Sequence, residues 1–560
     1  MRALLRNPLV WILMAAAGLR LAGLFWGLPA SDGWDDDGFA PRNFLTALAL
    51  TYKHGSYFTY PPLHAFFLAL LTLPGLALAL LHAPSFHQAD VIGEFTKPGY
   101  MTFFAVTARL VNLVMSLGII WCVGEMARLV AGRRAGLFAA GAAALNFGLT
   151  YYGQVSNLDV PYLFWGCLAL LWCMRAVQEQ NVRHFWGAAL FAAAAVATKD
   201  QAYALFALSL PVFLLFWFVA ESRTHTRKIV LTLVPAAAVA LLLLLLVDGA
   251  ITNPSGFARR IAFLAGPASR DYAEYLSGPS GWLALLGDMS AYYSKGYGLA
   301  AVTLAFLGLA VHATRTRGSV RIAGLLPAFA IASFTLCFNF AALRSDGRFL
   351  LPQAVLSCVY IGIAAEVLAF APWTQLAARA ALVVTALFAL HQSIAINAAF
   401  LLDPRYDAER WMAAHVGQGE TIETYGQNCF LPRFPSAAKV TRVGPGDLKV
   451  RNPLLRVMEV QAPFGEDRGA RFVVVNAKWA QRYLRPELSL DAGHIYSRLQ
   501  QADFRDTDAR SHFARLRDGG AGYRLAYTAR YDGFWPAVHI HDSLDEPIWI
   551  FERQSLGHPQ

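Results

Sequence analysis

Charge is what this 560-residue chain has least of. Asp, Glu, Lys and Arg together make up 15% of it, where a soluble chain carries about 25%. That shortfall excludes an ordinary soluble globular protein. Cysteine is scarce too. Of six cysteines, Cys122, Cys167, Cys173, Cys337 and Cys358 fall in apolar blocks and only Cys429 falls in the tail. An internal disulfide in the tail is therefore excluded, and no zinc-type spacing occurs. There is no internal repeat, and no low-complexity tract beyond the leucine run Leu241–Leu246. No small-residue cleavage site follows the first apolar block, so that block is expected to be a retained span.

What is present in their place is apolar sequence. Hydrophobic residues make up 56% of the chain, the mean hydropathy is +0.41, and long uncharged blocks follow one another from Pro8 to Leu402. Such blocks read as membrane spans. The expected spans are Pro8–Leu28, Ala105–Val130, Ala135–Tyr152, Val160–Val177, Phe185–Ala197, Gln201–Ala220, Ile229–Val247, Gly298–Thr314, Ile322–Ala342, Leu350–Phe370 and Ala378–Leu402. The formal charge of +10 would suit a polyanion partner, but its placement points elsewhere. Arg2 and Arg6, Arg128, Arg133 and Arg134, Arg175 and Arg183, Arg223, Arg227 and Lys228, and Arg315, Arg317 and Arg321 fall in alternate short connections. That is the positive-inside pattern, and it excludes any need for nucleic acid. It puts the N-terminus inside and the C-terminus outside.

The external segments are unequal. The first loop, 29–104, is long and reads as interfacial helices: an amphipathic stretch from Pro41 to Tyr52, then "YFTYPPLHAFFLALLTLPGLALALL", read as re-entrant or lying on the membrane. A second external loop runs from Asp248 to Tyr297. From Asp403 to Gln560 the composition changes to short β-rich runs, "ETIETYG", "RFVVVNAKW", "YRLAYTARY" and "PIWIFER", separated by turn residues and preceded by a helical "AERWMAAHV". The expected architecture is an α-helical polytopic membrane domain over 1–402 and an extracytoplasmic soluble α/β domain over 403–560.

The charges left on the external side carry the chemistry. "GWDDDGFAPRNF" (Gly33–Phe44) places Asp35, Asp36 and Asp37 beside the membrane, where like charges repel and need water or counter-charge. Asp159 lies in a very short connection, "YYGQVSNLDVPYLFW", and equally suits an N-cap of the following helix, with Pro161 in its first turn. Lys199, in "AVATKDQAYAL", defies the positive-inside bias and must be paired, with Asp200 its obvious partner. Arg344 and Arg348 in "LRSDGRFLLP" are external cations that equally suit snorkelling at a span end. Arg259 and Arg260 read as headgroup contacts, Tyr151–Tyr152 as an aromatic belt, and His54 and His64 as surface or packing histidines. Trp34 suits a belt or a sugar-stacking role. Acids in the first loop with cations at the same face suggest a nucleophile that needs a base and a leaving group that is anionic.

In their order, these elements resemble the polyprenyl-phosphate-dependent GT-C glycosyltransferases, the bacterial branch related to protein O-mannosyltransferases and the lipid A aminoarabinose transferase. The resemblance rests on "DDGFAPRNFL", "YPPLHAFF", "ARLVNLVMSLGIIWCVGEMARLVAGRRAGL", "YYGQVSNLDVPYLFW", "ATKDQAYAL" and "GRFLLPQ", with "PIWIFERQ" similar to the branch's C-terminal domain. It implies a GT-C fold of about 11 transmembrane helices and inverting transfer of a sugar from a polyprenyl-monophosphate donor to an acceptor hydroxyl at the external face. Asp36 matches the family's base and Asp37 its partner acid, with Gly38, Arg42 and Leu45 continuing the pattern. Asp35 departs from that pattern, and the register can slip by one. Asp159 matches a second external acid. Lys199 and Arg348, with Arg344 near, match cations on the donor phosphate. Tyr60 stands where some relatives carry Lys, a place Lys53 or His54 would have to fill. Asp35, Arg42, Lys53, His54 and Tyr60 are thus the further substrate contacts implied. The monophosphate branch implies no cofactor and no metal.

Rival readings are a lipid or sugar transporter or flippase, a non-catalytic assembly subunit, and a non-sugar lipid-phosphate transferase. A transporter would place its charges near the bilayer midplane, commonly in repeated halves. Here they gather at one face. Arg-rich, Ala-rich composition suggests a high-GC bacterium, so the expected location is the inner membrane with the tail in the periplasm. Sugar and acceptor stay open.

Overall fold

The computed structural model of the chain describes residues 6–30, 33–35, 38–39, 41, 43–220, 223–370, 375–444, 457–484, 492–536 and 544–554. Helices dominate up to His415. Among the described residues, eight helices are long and apolar enough to cross a bilayer: Leu63–His82, Pro98–Ala131, Asp159–Gln178, Asp200–Val219, Lys228–Val247, Gly318–Ala342, Gly347–Phe370 and Leu376–His415. A ninth is the pair Pro279–Tyr297 and Leu299–Arg315, bent by 108°. The corner is Gly298 at φ 81°, a conformation open to glycine at no steric cost. Pro8–Leu19 and His184–Thr198 are apolar but shorter. The protein is a multi-pass membrane protein.

Each expected span has a helix, with instructive differences. The first stops at Leu19 because Arg20 turns in and donates through Nη1 to the carbonyls of Ala16 (3.0 Å) and Ala144 (3.1 Å). Ala135–Tyr152 divides into Arg133–Ala144 and Phe147–Tyr152, because the Asn146 side chain caps the second piece by accepting from the Leu149 amide at 2.9 Å. Leu63–His82, read as interfacial or re-entrant, is one continuous 20-residue helix of spanning length.

The longest helix, Pro98–Ala131, opens with proline at its first turn and stops at Gly132 (φ 92°), the usual asymmetry of helix ends. Small residues let it meet Arg133–Ala144 closely: a Cβ on Gly136 would lie 2.7 Å from the Gly124 carbonyl. Close backbone approach of this kind drives helix association where lipid removes the hydrophobic driving force.

Beyond Asp403 a helix, Pro404–His415, leads into a six-stranded sheet. Its strands are β1 (Thr421–Tyr425), β2 (Lys439–Gly444), β3 (Val457–Gln461), β4 (Phe472–Asn476), β5 (Tyr523–Ala529) and β6 (Ile548–Arg553). The order is β3-β2-β1-β4-β6-β5, with the first four parallel and the last two antiparallel. The "FVVVN" run of β4 is buried throughout, as a strand covered on both faces must be. Val473 and Val475 pack with Ala480, Phe513 and Leu516. Phe472 and Val474 pack on the other side with Ala408 and Met412. The alternation is the two-residue period of a strand.

Candidate functional site

The bundle has two chemically distinct ends. At one, Glu125 takes Arg128 (2.6 Å) and Arg175 (3.0 Å), beside the basic short connections. At the other lie the first loop, the start of Asp159–Gln178, the turn at Lys199 and the loop between Gly318–Ala342 and Gly347–Phe370. The described residues among those expected from the sequence as site residues belong to this second end.

The described part of the first loop is tied down on all sides. Arg109, in the middle of Pro98–Ala131 and fully buried, forks onto Asp35: Nε to Oδ1 at 3.3 Å and Nη2 to Oδ2 at 2.6 Å. Its Nη1 donates to the carbonyls of Gly23 (3.2 Å) and Leu24 (2.9 Å). The Ser156 amide donates to Asp35 Oδ1 at 2.8 Å, and the Ser156 carbonyl accepts from the Phe39 amide at 2.7 Å. Asn112, one turn from Arg109, donates to the Val155 and Asn157 carbonyls at 2.6 and 2.8 Å. Gly38 is needed where it is, since a Cβ there would come 2.8 Å from that of Asp35. Asp35, expected as a substrate contact, is instead a buried structural carboxylate with both oxygens engaged. Asp36, Asp37 and Arg42 lie outside the described residues.

The segment that holds Asp35 continues straight into Asp159. Leu158, and not Asp159, is the N-cap of Asp159–Gln178. The Asp159 carboxylate goes to Lys199, 2.7 Å from Nζ, with Gln201 at 3.4 Å. Lys199 therefore pairs 40 positions back along the chain and not with its neighbour Asp200. Both partners are buried. Around the ammonium stand the rings of Tyr60 (5.9 Å), Tyr162 (5.8 Å) and Phe349 (5.8 Å), within cation–π range.

Phe349 is the hub of the group. Besides Lys199, Arg344 lies 4.6 Å and Arg348 4.9 Å from its ring centroid. The structure thus gathers Lys199, Arg344 and Arg348 on one buried ring, with Tyr60 and Asp159 against the lysine. The arginines are delivered by a fold-back: the π-helical turn Thr335–Asn339, Leu343 at φ 54°, and Asn339 donating to the Arg344 carbonyl at 3.1 Å. Asp346 pairs with Arg344 at 2.6 Å. Asp159 pairs with Lys199 and Asp346 with Arg344, and cations gathered on one ring in this way can hold an anion.

Asp200 faces another way. It shares Arg260 (3.4 Å) with Asp248 (2.9 Å), and burial pushes the Asp248 carboxyl up to about 6 against the pull of Arg260. Arg260 is 4% exposed and so is no headgroup contact. Its neighbour Arg259 is exposed and donates to the Gly55 carbonyl at 2.8 Å. Lys53 and His54 stand exposed in the turn that Arg259 and Asn253 clamp, Asn253 through bonds to the Thr51, Lys53 and Ser56 carbonyls at 2.9, 2.8 and 2.9 Å.

The aromatic expectations change as well. Tyr151 and Tyr152 are each 2% exposed, and Tyr151 stacks on Phe400, so neither forms a belt. His64 is buried in the packing beside Phe39. Trp34 is buried beneath the tail, with the Arg405 guanidinium 4.1 Å from its ring and Arg433 at 5.5 Å. Trp26 donates to Asp403 Oδ2 at 3.0 Å, and Asp403 pairs with Arg405 at 2.6 Å. The tail is clasped to the residues that lead into Asp35. A cavity of about 490 Å³, lined by Gln461, Phe464, Asp506 and Asp508 among others, belongs to the sheet domain and not to this group. Among the described residues no group of three His, Cys, Asp or Glu is placed to hold a metal.

Residues 102–247 match the family described as dolichyl-phosphate-mannose-protein mannosyltransferase. The resemblance read from the motifs holds. The matched stretch contains Arg109, Asn112, Asp159, Lys199 and Asp200, and it supports a polyprenyl-phosphate-dependent GT-C glycosyltransferase. No curated protein matches the chain. Similar solved structures are ArnT from Cupriavidus metallidurans in the apo state, 15% identical over 86% of this chain and 95% of that one with a TM-score of 0.48, and the same protein bound to undecaprenyl phosphate, 16% identical over 98% and 99% with a TM-score of 0.48. The Archaeoglobus fulgidus oligosaccharyltransferase in complex with Zn and sulfate is 14% identical over 98% and 88%, with a TM-score of 0.47.

Proposed function

We propose that the protein transfers a sugar from a polyprenyl-monophosphate donor to an acceptor hydroxyl, with inversion, at the external face of a bacterial inner membrane, and that the domain 403–560 stands in the periplasm. The observation that carries this reading is the convergence of Lys199, Arg344 and Arg348 on Phe349. A monophosphate leaving group spreads negative charge over its oxygens, and preorganised cations in a water-poor site stabilise that charge as it develops.

In this reading the acceptor oxygen attacks the anomeric carbon, the carbon–oxygen bond to the lipid phosphate breaks, and the acceptor proton passes to the Asp36 carboxylate, with Asp37 beside it. Lipid monophosphate departs onto the cations. A positioned base contributes about 10²–10⁴-fold. The engagement of Asp35 by Arg109 and the Ser156 amide supports Asp36 as the base, because both Asp35 oxygens are bonded and the side chain is buried away from a substrate. Asp159 acts through Lys199, holding the ammonium among its three rings until phosphate competes for it. Tyr60 closes the aromatic side of the same charge. Lys53, His54 and Arg42 are the further substrate contacts supplied by the first loop.

The test is transfer of radiolabelled sugar from polyprenyl-phosphate donors in membranes carrying wild type or Asp36→Asn at matched expression. Transfer by wild type with a loss of 10²-fold or more in the variant is expected. Equal transfer by both removes Asp36 from the base role. Transfer by neither, repeated with endogenous lipid extract, would favour a transporter or an assembly subunit.

A further inference from the structure

The chain leaving β5 does not stay with the sheet. Residues 530–536, "RYDGFWP", descend along the last long helix, Gln375–Leu401. Gly533 lies so close to the end of that helix that a Cβ there would come 2.8 Å from Leu402 Cδ1. Trp535 reaches lower. Its indole Nε1 donates to the His391 carbonyl at 3.2 Å, and its ring lies 5.2 Å from the His391 ring. Tyr531 fixes the turn by donating to the Trp535 carbonyl at 2.7 Å. Between these contacts Phe534 projects outward and is 98% exposed.

Two features locate this contact along the helix. At 1.5 Å per residue, His391 lies about 24 Å along the helix from Gln375, roughly 6 Å short of the hydrocarbon thickness of about 30 Å and so in its outer part for a helix that enters the bilayer at Gln375. At the same level Gln392 donates to the Lys295 carbonyl at 2.9 Å, where Pro279–Tyr297 bends by 108° into Leu299–Arg315. A pair bent so sharply is a broken span or a re-entrant loop, and Gln392 ties the last helix to its corner. Below that level the helix shows Val383, Val384 and Leu387, 58%, 65% and 59% exposed, an apolar surface that only lipid covers comfortably. The aromatic loop meets that helix at His391, with Arg530 before it and Asp532 within it both exposed.

We propose that Tyr531–Trp535 is an interfacial lipid anchor of the sheet domain, with Phe534 inserted at the boundary between headgroups and acyl chains. Phospholipid is the partner. Tyr and Trp suit this zone because each joins an apolar ring to a polar tip, and here both tips are bonded to the protein while the purely apolar ring points out. The sheet domain is thereby held at a fixed height over the membrane by a contact additional to the clasp around Arg405. This inference does not depend on the proposed transfer reaction.

The test uses the full chain reconstituted in phosphatidylcholine–phosphatidylglycerol vesicles. A nitroxide is placed at Phe534→Cys, with Leu387→Cys as the lipid-facing reference and Met458→Cys, on the exposed edge of β3, as the aqueous one. The parent chain reports any labelling of its own thiols. Collision with oxygen relative to a water-soluble nickel chelate should be several-fold higher at 534 than at 458 and close to that at 387. A ratio matching 458 places the loop in water and overturns the proposal. Low access to both reagents means a protein surface covers Phe534, and overturns it equally. A label-free check is Phe534→Trp in brominated phosphatidylcholine: fluorescence quenched beyond that of the parent supports the anchor, and no excess quenching rejects it.

Discussion

Two buried ion pairs that meet one segment, the first through Ser156 and the second at Asp159, behave as opposites. Arg109 and Asp35 meet as fork and carboxylate, with Arg109 Nη1 also donating to two backbone carbonyls and Asp35 Oδ1 also accepting from a backbone amide. Lys199 and Asp159 meet at one short contact, and the rest of the ammonium faces aromatic rings. A guanidinium fork is a fixed, planar connector, whereas an ammonium is a point charge on a flexible stem. The first pair is built to hold a loop still. The second is built to be shared, because its cation can exchange a carboxylate for an arriving phosphate without losing its surroundings.

The largest effect should come from breaking the fixed pair. Arg109→Met strands a buried carboxylate, a loss of about 3–5 kcal/mol. A thermal melt of the detergent-solubilised protein should show it, and Arg109→Lys should fail to rescue because it has no fork. If Arg109→Lys melts like wild type, the distinction drawn between the pairs is wrong. Next comes the exchangeable pair. Lys199→Met should lower transfer by about 10²–10³-fold, in line with removal of a single charge-stabilising donor. Adding Asp159→Asn should recover the melting temperature but not the transfer, a split that double-mutant analysis reads directly. Recovery of both would make the lysine structural.

The smallest effect extends the comparison to a buried titratable group with no counter-charge. His512, packed among Tyr425, Phe464 and Phe513, has its pKa lowered to about 4 by burial, with Arg515 and Arg468 adding to the shift. The unfolded chain binds this proton near 6.5 and the folded one only near 4. Its contribution is therefore complete above 6.5 and is lost as the pH falls, by about 2 kcal/mol at pH 5. The transition of the sheet domain should weaken accordingly between pH 7 and 5, and His512→Phe should flatten that dependence. A slope unchanged in the variant would mean another group titrates.

Much of this was legible in the sequence, and what was not has a common cause. Apolar blocks located the helices, and runs such as "FVVVN" located the strands, because both depend on neighbours in the chain. Lys199 and Asp159 stood out as charges in apolar surroundings. Their pairing did not, since Asp200 is adjacent in sequence and the true partner is brought in only by packing of Asp159–Gln178 against His184–Thr198. Arg109 was read only as the opening of a motif and given no role, although an arginine three residues before an asparagine inside an apolar block carries its own signal. Trp34 was misread because what covers it, Arg405, is contributed by the far end of the chain. In "WDDDG" the three acids look alike, and only the position of Arg109 makes the first of them structural.

The clasp at Asp403 and Arg405 bears on how such a protein can change. Trp26 and Trp34 are covered by side chains that the tail supplies, so the two ends of the chain form one fitting. A graft that exchanges the sheet domain between related proteins at residue 403 would set foreign side chains on these tryptophans, one residue from Asp35. Such an exchange succeeds only if the stretch from Gly23 to Trp34 travels with it, and substitutions in the tail and in the first loop are bound to occur together.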